Sequence, residues 1–200
     1  MLLLIGGTPT DGRTNDVTWL AHDQSVGIWE LVNHIADAVG LPLTHAEPLQ
    51  VIHYKDGQQY RQHWDAYDAH TERGKQQIEA SGNRLVTALG YINTVESNDA
   101  LEGSTFMPNL NISVPAVAGR LLVFHTTYPG TATKHVDGLH AGMPVVSGEK
   151  WAFNLWFHDR PHHPSVVASQ RMRQKMSAGE LGGGSANATR SRSNGDAKEL

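Results

Sequence analysis

A histidine and an aspartate lie two residues apart in the polar, aromatic-rich stretch GQQYRQHWDAYD, residues 57–68. If this stretch is extended, His63 and Asp65 project from one face and Trp64 from the other, because alternate residues of a strand point to the same side. An imidazole beside a carboxylate forms part of a metal site, but the same pair also fits a polar strand edge. The rest of the chain therefore has to supply a third ligand.

The candidates for a third ligand are His125, His135, His140, His158, His162 and His163. His140 is distinguished by its context, because it lies between glycine-containing turns and Lys150 follows ten residues later. Two histidines and one carboxylate on one face leave coordination positions open, which suits a non-haem Fe(II) oxygenase. Lys150 heads the apolar run KWAFNLWF, where an ammonium is costly unless an anion meets it. An organic acid cosubstrate would provide that anion.

Composition narrows the classes of protein that fit this chain. It has 200 residues, 39% of them hydrophobic, which is enough for one domain with a core. The formal charge of −4 creates no strong field for nucleic acid or an anionic membrane. The absence of cysteine excludes disulfides, thiolate zinc sites, iron–sulfur clusters and cysteine nucleophiles. No stretch reaches the ~18 consecutive apolar residues of a membrane span, and the apolar start is too short for a secretory signal.

The pattern of elements predicts one clear helix followed by many short strands. Residues 25–39 follow the period of an amphipathic helix, with Asp23 or Ser25 as N-cap and Gly40 at its end. The β-rich runs that follow are LQVIHY, NRLVTALGYIN, NISVPAV, GRLLVFHTT, MPVVSG and KWAFNLWFH. Their short spacing, with Gly, Pro, Asn and Asp between them, predicts an antiparallel barrel or sandwich.

The polar segments predict two loops and a tail. Residues 66–82 and 94–106 are predicted to be loops of the kind that cover a site. Residues 171–200 are rich in Gly, Ser, Asn and charge and predict a disordered tail, which leaves residues 1–170 as one domain. The absence of cysteine and of a signal favours the cytoplasm.

Five segments of the chain, taken in order, resemble the prolyl 4-hydroxylase family of Fe(II)/2-oxoglutarate-dependent dioxygenases. The segments are RTNDVTWL, GLPLTHAEPLQVIHYKDGQQYRQHWDAYD, NRLVTALGYIN, GSTFMP and HAGMPVVSGEKWAFNLW. They are similar to the family's Arg-Thr opening, its Y-x-x-G-Q-x-Y-x-x-H-x-D strand, its R-x-x-T-x-x-x-Y-L-N strand, its G-E-T-x-F-P turn and its H-x-G-x-P-V-x-x-G-x-K-W ending. The likeness covers residues 12–162, most of the chain.

The sequence also departs from the family in two places. Ser104 stands where the family has the acidic residue of its G-E-T turn. The family usually has further strand and helix before the Arg-Thr segment, which leaves an N-terminally truncated catalytic domain as one interpretation. In that case the lumen of the endoplasmic reticulum is a second option for the compartment.

The resemblance implies a mainly β (α+β) fold, a double-stranded β-helix (a jelly-roll or cupin-like barrel) with flanking helices. It implies His63, Asp65 and His140 as iron ligands, and Lys150 as the partner of the distal carboxylate of 2-oxoglutarate. These four are the expected catalytic residues. The expected cosubstrate pocket consists of Tyr54, Tyr91, Lys150, Asn154 and Trp156, the last two because they share the strand face of Lys150.

The reaction implied by the resemblance consumes O2, decarboxylates 2-oxoglutarate to succinate and CO2, and 4-hydroxylates a prolyl residue in a peptide or protein. L-ascorbate is implied as the reductant that rescues oxidised iron. Asp65 favours hydroxylation, because halogenating relatives lack this carboxylate. Peptide contacts are expected from Arg13 and from residues 66–83 and 94–105, and no nucleic acid or membrane partner is expected. The oligomeric state stays open.

Three other functions fit part of the pattern. The first is a catalytically silent jelly-roll that binds a metal or a partner without turnover. The second is a zinc or manganese cupin-type hydrolase or isomerase, against which Lys150 argues, because such an enzyme needs no buried cation there. The third is a 2-oxoglutarate oxygenase that acts on another side chain or on a small molecule. His158, His162 and His163 are predicted to be surface residues in all of them.

Overall fold

Two antiparallel sheets and three helices make up the computed structural model, which describes residues 12–97 and 99–180. The strands are β1 (Asp16–Leu20), β2 (Leu49–Tyr54), β3 (Tyr60–His63), β4 (Arg84–Tyr91), β5 (Thr105–Met107), β6 (Ile112–Val114), β7 (Leu121–His125), β8 (His140–Gly142) and β9 (Lys150–His158). The helices are α1 (Val26–Val39), α2 (Glu72–Ser81) and α3 (His163–Ser177), with 3₁₀ turns at Leu43–His45 and Val136–Gly138.

The strand order identifies the barrel. The larger sheet has the order β1-β2-β9-β4-β7 and the smaller sheet has the order β3-β8-β5-β6. Neighbours along the chain are mostly not neighbours in a sheet, so the chain crosses repeatedly between the two layers. This is the architecture of a double-stranded β-helix, and the predicted fold class is confirmed.

Strand alternation divides the larger sheet into a helix-facing side and an interior side. On β9, Leu155 and Phe157 are fully buried in a core shared with α1, while Ala152 belongs to a second core with Tyr54 and Tyr91. Because both faces of this sheet are covered, all six residues of β2 are buried. Any polar side chain on the interior side of this sheet is therefore shielded from bulk water.

The helix predicted over residues 25–39 is present as α1, and the structure decides which residue is its N-cap. Ser25 is the N-cap of α1, since its side chain accepts a hydrogen bond from the backbone N–H of Ile28. Gly40 ends the helix with φ of 74°, a left-handed conformation that glycine adopts without steric cost. Val32, Ile35 and Ala36 are its buried residues, and they pack against the larger sheet.

Two local predictions are wrong. Residues 66–82 are not all loop, because Thr71 caps α2 by accepting a hydrogen bond from Gly74 N. Residues 143–148 (MPVVSG) form no strand and connect β8 to β9. Pro144 has no N–H to offer to a ladder, and Val145 is fully buried with its N–H bonded to Gln58 O.

The predicted boundary of the tail is also wrong. Residues 171–177 form the last turns of α3, and Met172 is almost fully buried. Burial of this side chain and of the small residues on the same helix face fixes α3 to the domain. Residues 181–200 of the predicted tail lie outside the described residues. Within the described ranges, no helix has the length and apolar content needed to cross a membrane.

Candidate active site

Three side chains that can ligate a metal meet where the two sheets face each other. The pairing of β3 with β8 places His63 directly opposite His140. β3 ends at His63, so Asp65 projects from the first residues after the strand rather than from the strand itself. One ligand atom from each of the three residues lies within 4.8 Å of the others. Within the two described ranges this is the only such group of three or more potential ligands, and it is the group predicted from the sequence.

Backbone carbonyls fix which nitrogen of each histidine is free. His63 Nδ1 donates to Arg61 O at 2.8 Å, and His140 Nδ1 donates to Gly138 O at 3.0 Å. A carbonyl can only accept, so both rings carry their proton on Nδ1 and direct the lone pair of Nε2 toward Asp65. His63 Nε2 lies 3.5 Å from Asp65 Oδ1, and His140 Nε2 lies 3.7 Å from Asp65 Oδ2. The three donors are therefore oriented for a shared cation.

The environment of Asp65 keeps it ionised although it is buried. Burial by itself would raise the pKa of this carboxyl, but His140, His63 and Arg84 hold the pKa well below its usual range. Thr87 Oγ1 donates to Asp65 Oδ2 at 2.7 Å, and Arg84 donates to the backbone carbonyl of Asp65 at 3.1 Å. Burial lowers the pKa of His140, which favours the neutral ring that a metal requires.

Lys150 lies in the same barrel interior and has no anionic partner among the described residues. It is the first residue of β9, pairs with Tyr54 on β2 and is almost fully buried. Its Nζ lies 5.2 Å and 5.4 Å from the ring centroids of Tyr54 and Tyr91. Burial alone lowers the pKa of Lys150 to about 7. A buried ammonium with only aromatic faces beside it is suited to the carboxylate of a ligand.

Both tyrosines span the gap between the sheets. Tyr91 donates to Thr105 Oγ1 on β5 at 2.8 Å, and Tyr54 reaches Gly142 on β8, where a Cβ would meet its hydroxyl at 3.1 Å. Burial raises the pKa of both phenols, to about 12 for Tyr91. Both are therefore protonated donors around Lys150, and Thr105 is a further hydroxyl there that the sequence reasoning did not select.

The residues present fit the metal and cosubstrate that the sequence implied. Two imidazole Nε2 atoms and one ionised carboxylate, all within 4.8 Å, match the donor set of a 2-His-1-carboxylate iron site. The uncompensated ammonium of Lys150 matches the distal carboxylate of a dicarboxylic acid.

Asn154 and Trp156 share the strand face of Lys150, as predicted, and both line a cavity beside Asp65. This cavity has a volume of about 430 Å³ and is also lined by Asp65, Arg84 and Tyr60. Lys150, Tyr54 and Tyr91 are not among its lining residues. That Asn154 and Trp156 also contact the cosubstrate beside Lys150 stays a prediction.

A buried polar network behind this cavity was missed from the sequence. Arg84 forms two hydrogen bonds with Glu47, through Nε at 2.5 Å and through NH2 at 2.9 Å, and its guanidinium lies 3.8 Å from the ring centroid of Trp156. Tyr67 also donates to Glu47, at 3.2 Å. Burial opposes ionisation of Glu47, but Arg84 and then His158 lower its pKa to about 2. The network joins the substrate-sized cavity to the backbone of the ligand Asp65 through Arg84.

His158 is a member of that network, so its prediction as a surface residue is wrong. It is almost fully buried on β9, and its Nε2 donates to Glu47 Oε1 at 2.8 Å. The sequence offered a signal, since His158 continues the alternate-residue series of Lys150 and Trp156 into the interior. His162 is half-buried and His163 is exposed. The ring centroids of His125 and His135 lie 6.1 Å apart, and neither residue belongs to the ligand group.

Replacing His158 with alanine is expected to destabilise the protein by about 1–3 kcal/mol, because Glu47 loses a buried donor. The free energy of unfolding, measured by denaturant titration, tests this. His163→Ala removes an exposed histidine of α3 and is the matched control, with a change within about 0.5 kcal/mol. Equal stability of the two variants would contradict a structural role for His158.

Comparison with known proteins places this geometry in a family. The family model described as "2OG-Fe(II) oxygenase superfamily" matches residues 49–158, which is more than half of the chain and includes His63, Asp65, His140 and Lys150. The chain belongs to this superfamily. Fe(II) and 2-oxoglutarate, the two cofactors that its name specifies, are those predicted from the sequence.

Curated relatives of this chain include prolyl 4-hydroxylases. A candidate prolyl 4-hydroxylase of Acanthamoeba polyphaga mimivirus is 34% identical over 157 residues, covering 78% of this chain and 63% of its own length. The prolyl 4-hydroxylase subunit alpha-1 of Gallus gallus is 31% identical over 153 residues, covering 74% of this chain and 28% of its own length. The chain thus spans less than two thirds of either relative. The family resemblance drawn from the sequence is confirmed.

Solved structures agree with the fold. The viral collagen prolyl hydroxylase of Paramecium bursaria Chlorella virus-1, determined with 2-oxoglutarate, matches with a TM-score of 0.60 and 27% identity, covering 72% of this chain and 78% of that chain. A Pseudomonas putida prolyl-4-hydroxylase matches with a TM-score of 0.55 and 18% identity, covering 78% of this chain and 77% of that chain. The second similarity concerns the fold alone.

Proposed function

We propose that this protein is an Fe(II)- and 2-oxoglutarate-dependent dioxygenase that 4-hydroxylates prolyl residues in a peptide or protein. The observation that carries the proposal is the shared barrel interior of the His63, Asp65 and His140 cluster and the unpaired ammonium of Lys150. When bound, Fe(II) supplies the oxidative chemistry that couples decarboxylation of 2-oxoglutarate to hydroxylation of a C–H bond. In the overall balance, 2-oxoglutarate, O2 and the substrate C–H give succinate, CO2 and the C–OH product.

The residues of the chain bind the metal and 2-oxoglutarate, orient them, and exclude water from the site. His63 and His140 present unprotonated Nε2 atoms because their Nδ1 protons are held by backbone carbonyls. Lys150 binds the distal carboxylate, and its burial strengthens that ion pair while keeping water away. Tyr54 and Tyr91 line the space around the Lys150 ammonium. O2 is the second cosubstrate, and ascorbate keeps the iron reduced between turnovers.

The cavity beside Asp65 supports a peptide as the substrate. Its lining includes the amide side chains of Gln50, Gln77 and Asn154. An amide group both donates and accepts, which complements the N–H and C=O groups of a peptide backbone. Arg13 also lines the cavity. We therefore assign this cavity to the residue that is hydroxylated and to its flanking backbone.

The expected peptide-contacting segments differ in how well they fit this assignment. Within residues 66–83, Tyr67 and the α2 residues Arg73 and Gln77 line the cavity. Residues 94–105, taken without Asn98, contribute none of its lining residues. The relatives named as prolyl 4-hydroxylases and the viral collagen prolyl hydroxylase support proline as the target. Another amino acid in the same cavity is the second candidate, because the cavity is polar and its lining suits any peptide backbone.

The experiment is product analysis on a proline-rich peptide. We expect mass spectrometry to find one added oxygen atom, and amino-acid analysis to find 4-hydroxyproline, after incubation with Fe(II), 2-oxoglutarate, ascorbate and air. The matched control peptide has alanine in place of each proline. If oxygen is added to the control peptide, or only to a free amino acid, then proline is not the substrate, although the dioxygenase reaction is retained. No product from any of them, with iron bound, favours the silent binding module.

A further inference from the structure

Thr87 is a fully buried hydroxyl on the central part of the larger sheet, and it contacts a metal-ligating side chain. It lies on β4, where its register partners are Trp156 on β9 and Phe124 on β7. The alternation of β4 places its side chain on the interior side, which it shares with Leu89 and Tyr91. A hydroxyl in this position has no access to water and must bond to the protein.

The partner of this hydroxyl is the carboxylate of Asp65. Thr87 Oγ1 donates to Oδ2 at 2.7 Å, a short bond of the kind formed with an ionised acceptor. Oδ1 faces His63 Nε2 at 3.5 Å. In the neutral form that a metal requires, each ring keeps its one proton on Nδ1, bonded to a backbone carbonyl, so neither histidine then donates from Nε2. Thr87 is thus the side-chain donor that sets the rotation of the carboxylate plane.

The backbone of Asp65 is held separately from its side chain. Arg84 NH1 donates to the Asp65 carbonyl, and Asn83 bonds the backbone of Tyr67 through both ends of its amide. Loss of the Thr87 hydroxyl therefore leaves the position of Cα unchanged and releases only the rotation of the carboxylate. This separation makes the effect of Thr87 testable without disturbing the loop.

We propose that Thr87 is a positioning residue for the metal site, whose hydroxyl holds the Asp65 carboxylate in the orientation that completes the ligand set with His63 and His140. The inference rests on the proposed function, since it assumes that the three residues bind a divalent metal. Partners that orient a ligand in this way typically account for about 10–100-fold in metal affinity. A fully buried hydroxyl that does not itself ligate the metal thus tunes the affinity for iron.

The test compares three variants of the full chain by calorimetric titration with Co(II) and, without oxygen, with Fe(II). Thr87→Val removes the hydroxyl and keeps the branched shape, and we expect metal affinity to fall about tenfold or more. Thr87→Ser restores the donor and should return the affinity to within about threefold of wild type. Thr126→Val is the matched control, because Thr126 is equally buried on the neighbouring connection and bonds the carbonyl of Arg84 instead.

The outcomes separate the inference from the proposed function. Wild-type affinity in Thr87→Val, or a loss that Thr87→Ser does not restore, overturns the role of the hydroxyl while leaving the metal site in place. An equal loss in Thr126→Val also overturns it, because the effect would then follow from any buried threonine. A wild-type protein that binds neither metal overturns the proposed function and this inference together. Circular dichroism on each variant confirms that the fold is retained.

Discussion

Replacement of Asp65 by alanine is expected to lower 2-oxoglutarate decarboxylation at least about 1,000-fold, because metal-ion catalysis contributes several kcal/mol. Without the carboxylate, the site keeps two neutral imidazoles and no negative charge to balance a divalent cation. His63→Ala and His140→Ala should have the same effect for the same reason. Succinate formation and calorimetric binding of Fe(II) without oxygen are the two measurements.

The control for these ligand variants is His163→Ala. His163 is exposed at the start of α3 and lies outside the ligand group. Its loss should leave both succinate formation and metal binding within about twofold of wild type, as for most surface substitutions. Retention of activity in Asp65→Ala would contradict the assignment of Asp65 as a required metal ligand. His158 is unsuitable as a control, because it is buried and bonded to Glu47.

Replacement of Lys150 by methionine is expected to weaken 2-oxoglutarate binding at least about 30-fold, since truncating one partner of a buried charge pair costs about 2–5 kcal/mol. The same change should leave the ligand-free protein as stable as wild type or more so. Lys150 is almost fully buried without an anionic partner, and an apolar side chain of similar length removes that desolvation cost. Lys75→Met, on an exposed position of α2, is the matched control.

The pH dependence of Lys150 has a defined sign. Burial lowers its pKa to about 7 in the ligand-free folded protein, against an ordinary value of 10.5. Between these values the unfolded chain binds more protons, so the contribution of this group to the free energy of unfolding rises with pH and is lowest below pH 7. Binding of 2-oxoglutarate requires the ammonium, so its affinity should fall as pH rises above about 7.

Two measurements check the behaviour of Lys150. Thermal unfolding across this pH range should show a rise in stability for wild type that Lys150→Met lacks. Titration with 2-oxoglutarate should show a loss of affinity at high pH for wild type and a weak, flat profile for the variant. A stability profile that is unchanged by Lys150→Met would contradict burial of an unpaired ammonium.

Two of the three ligand residues can be predicted from the sequence because they are close together in the chain. His63 and Asp65 are two apart, and both reach the same site although β3 ends at His63 and Asp65 lies just beyond the strand. The choice of His140 among six histidines does not follow from spacing, because it depends on which strand pairs with β3. The likeness to a known family supplied that long-range information, and the register of His63 with His140 agrees with it.

Distance along β9 limits what strand periodicity can say about Asn154 and Trp156. Lys150, Asn154 and Trp156 share one face of the strand. A strand advances about 3.3 Å per residue, so Trp156 lies roughly 20 Å beyond Lys150. Periodicity therefore predicts the side of the sheet correctly and leaves the position along the barrel undetermined.

Two helices were missed because their sequences carry little apolar periodicity. α2 is largely polar and buries only Gly74 and Ser81, so its N-cap at Thr71 is the main local signal. α3 buries the small residues Ser165, Ala168 and Ser169 together with Met172. Small side chains do not mark a helix face in a hydrophobicity pattern, although they allow close packing. The network of Glu47, Arg84 and His158 was missed because its members are far apart in sequence.

The most direct test of the account is succinate formation from 2-oxoglutarate in air, with Fe(II) and ascorbate, with and without a proline-rich peptide. We expect that wild-type protein forms succinate, that the peptide stimulates it, that Lys150→Met lowers it below saturating 2-oxoglutarate, and that Asp65→Ala abolishes it. A folded, iron-bound wild-type protein that forms no succinate in the presence of peptide would contradict the account.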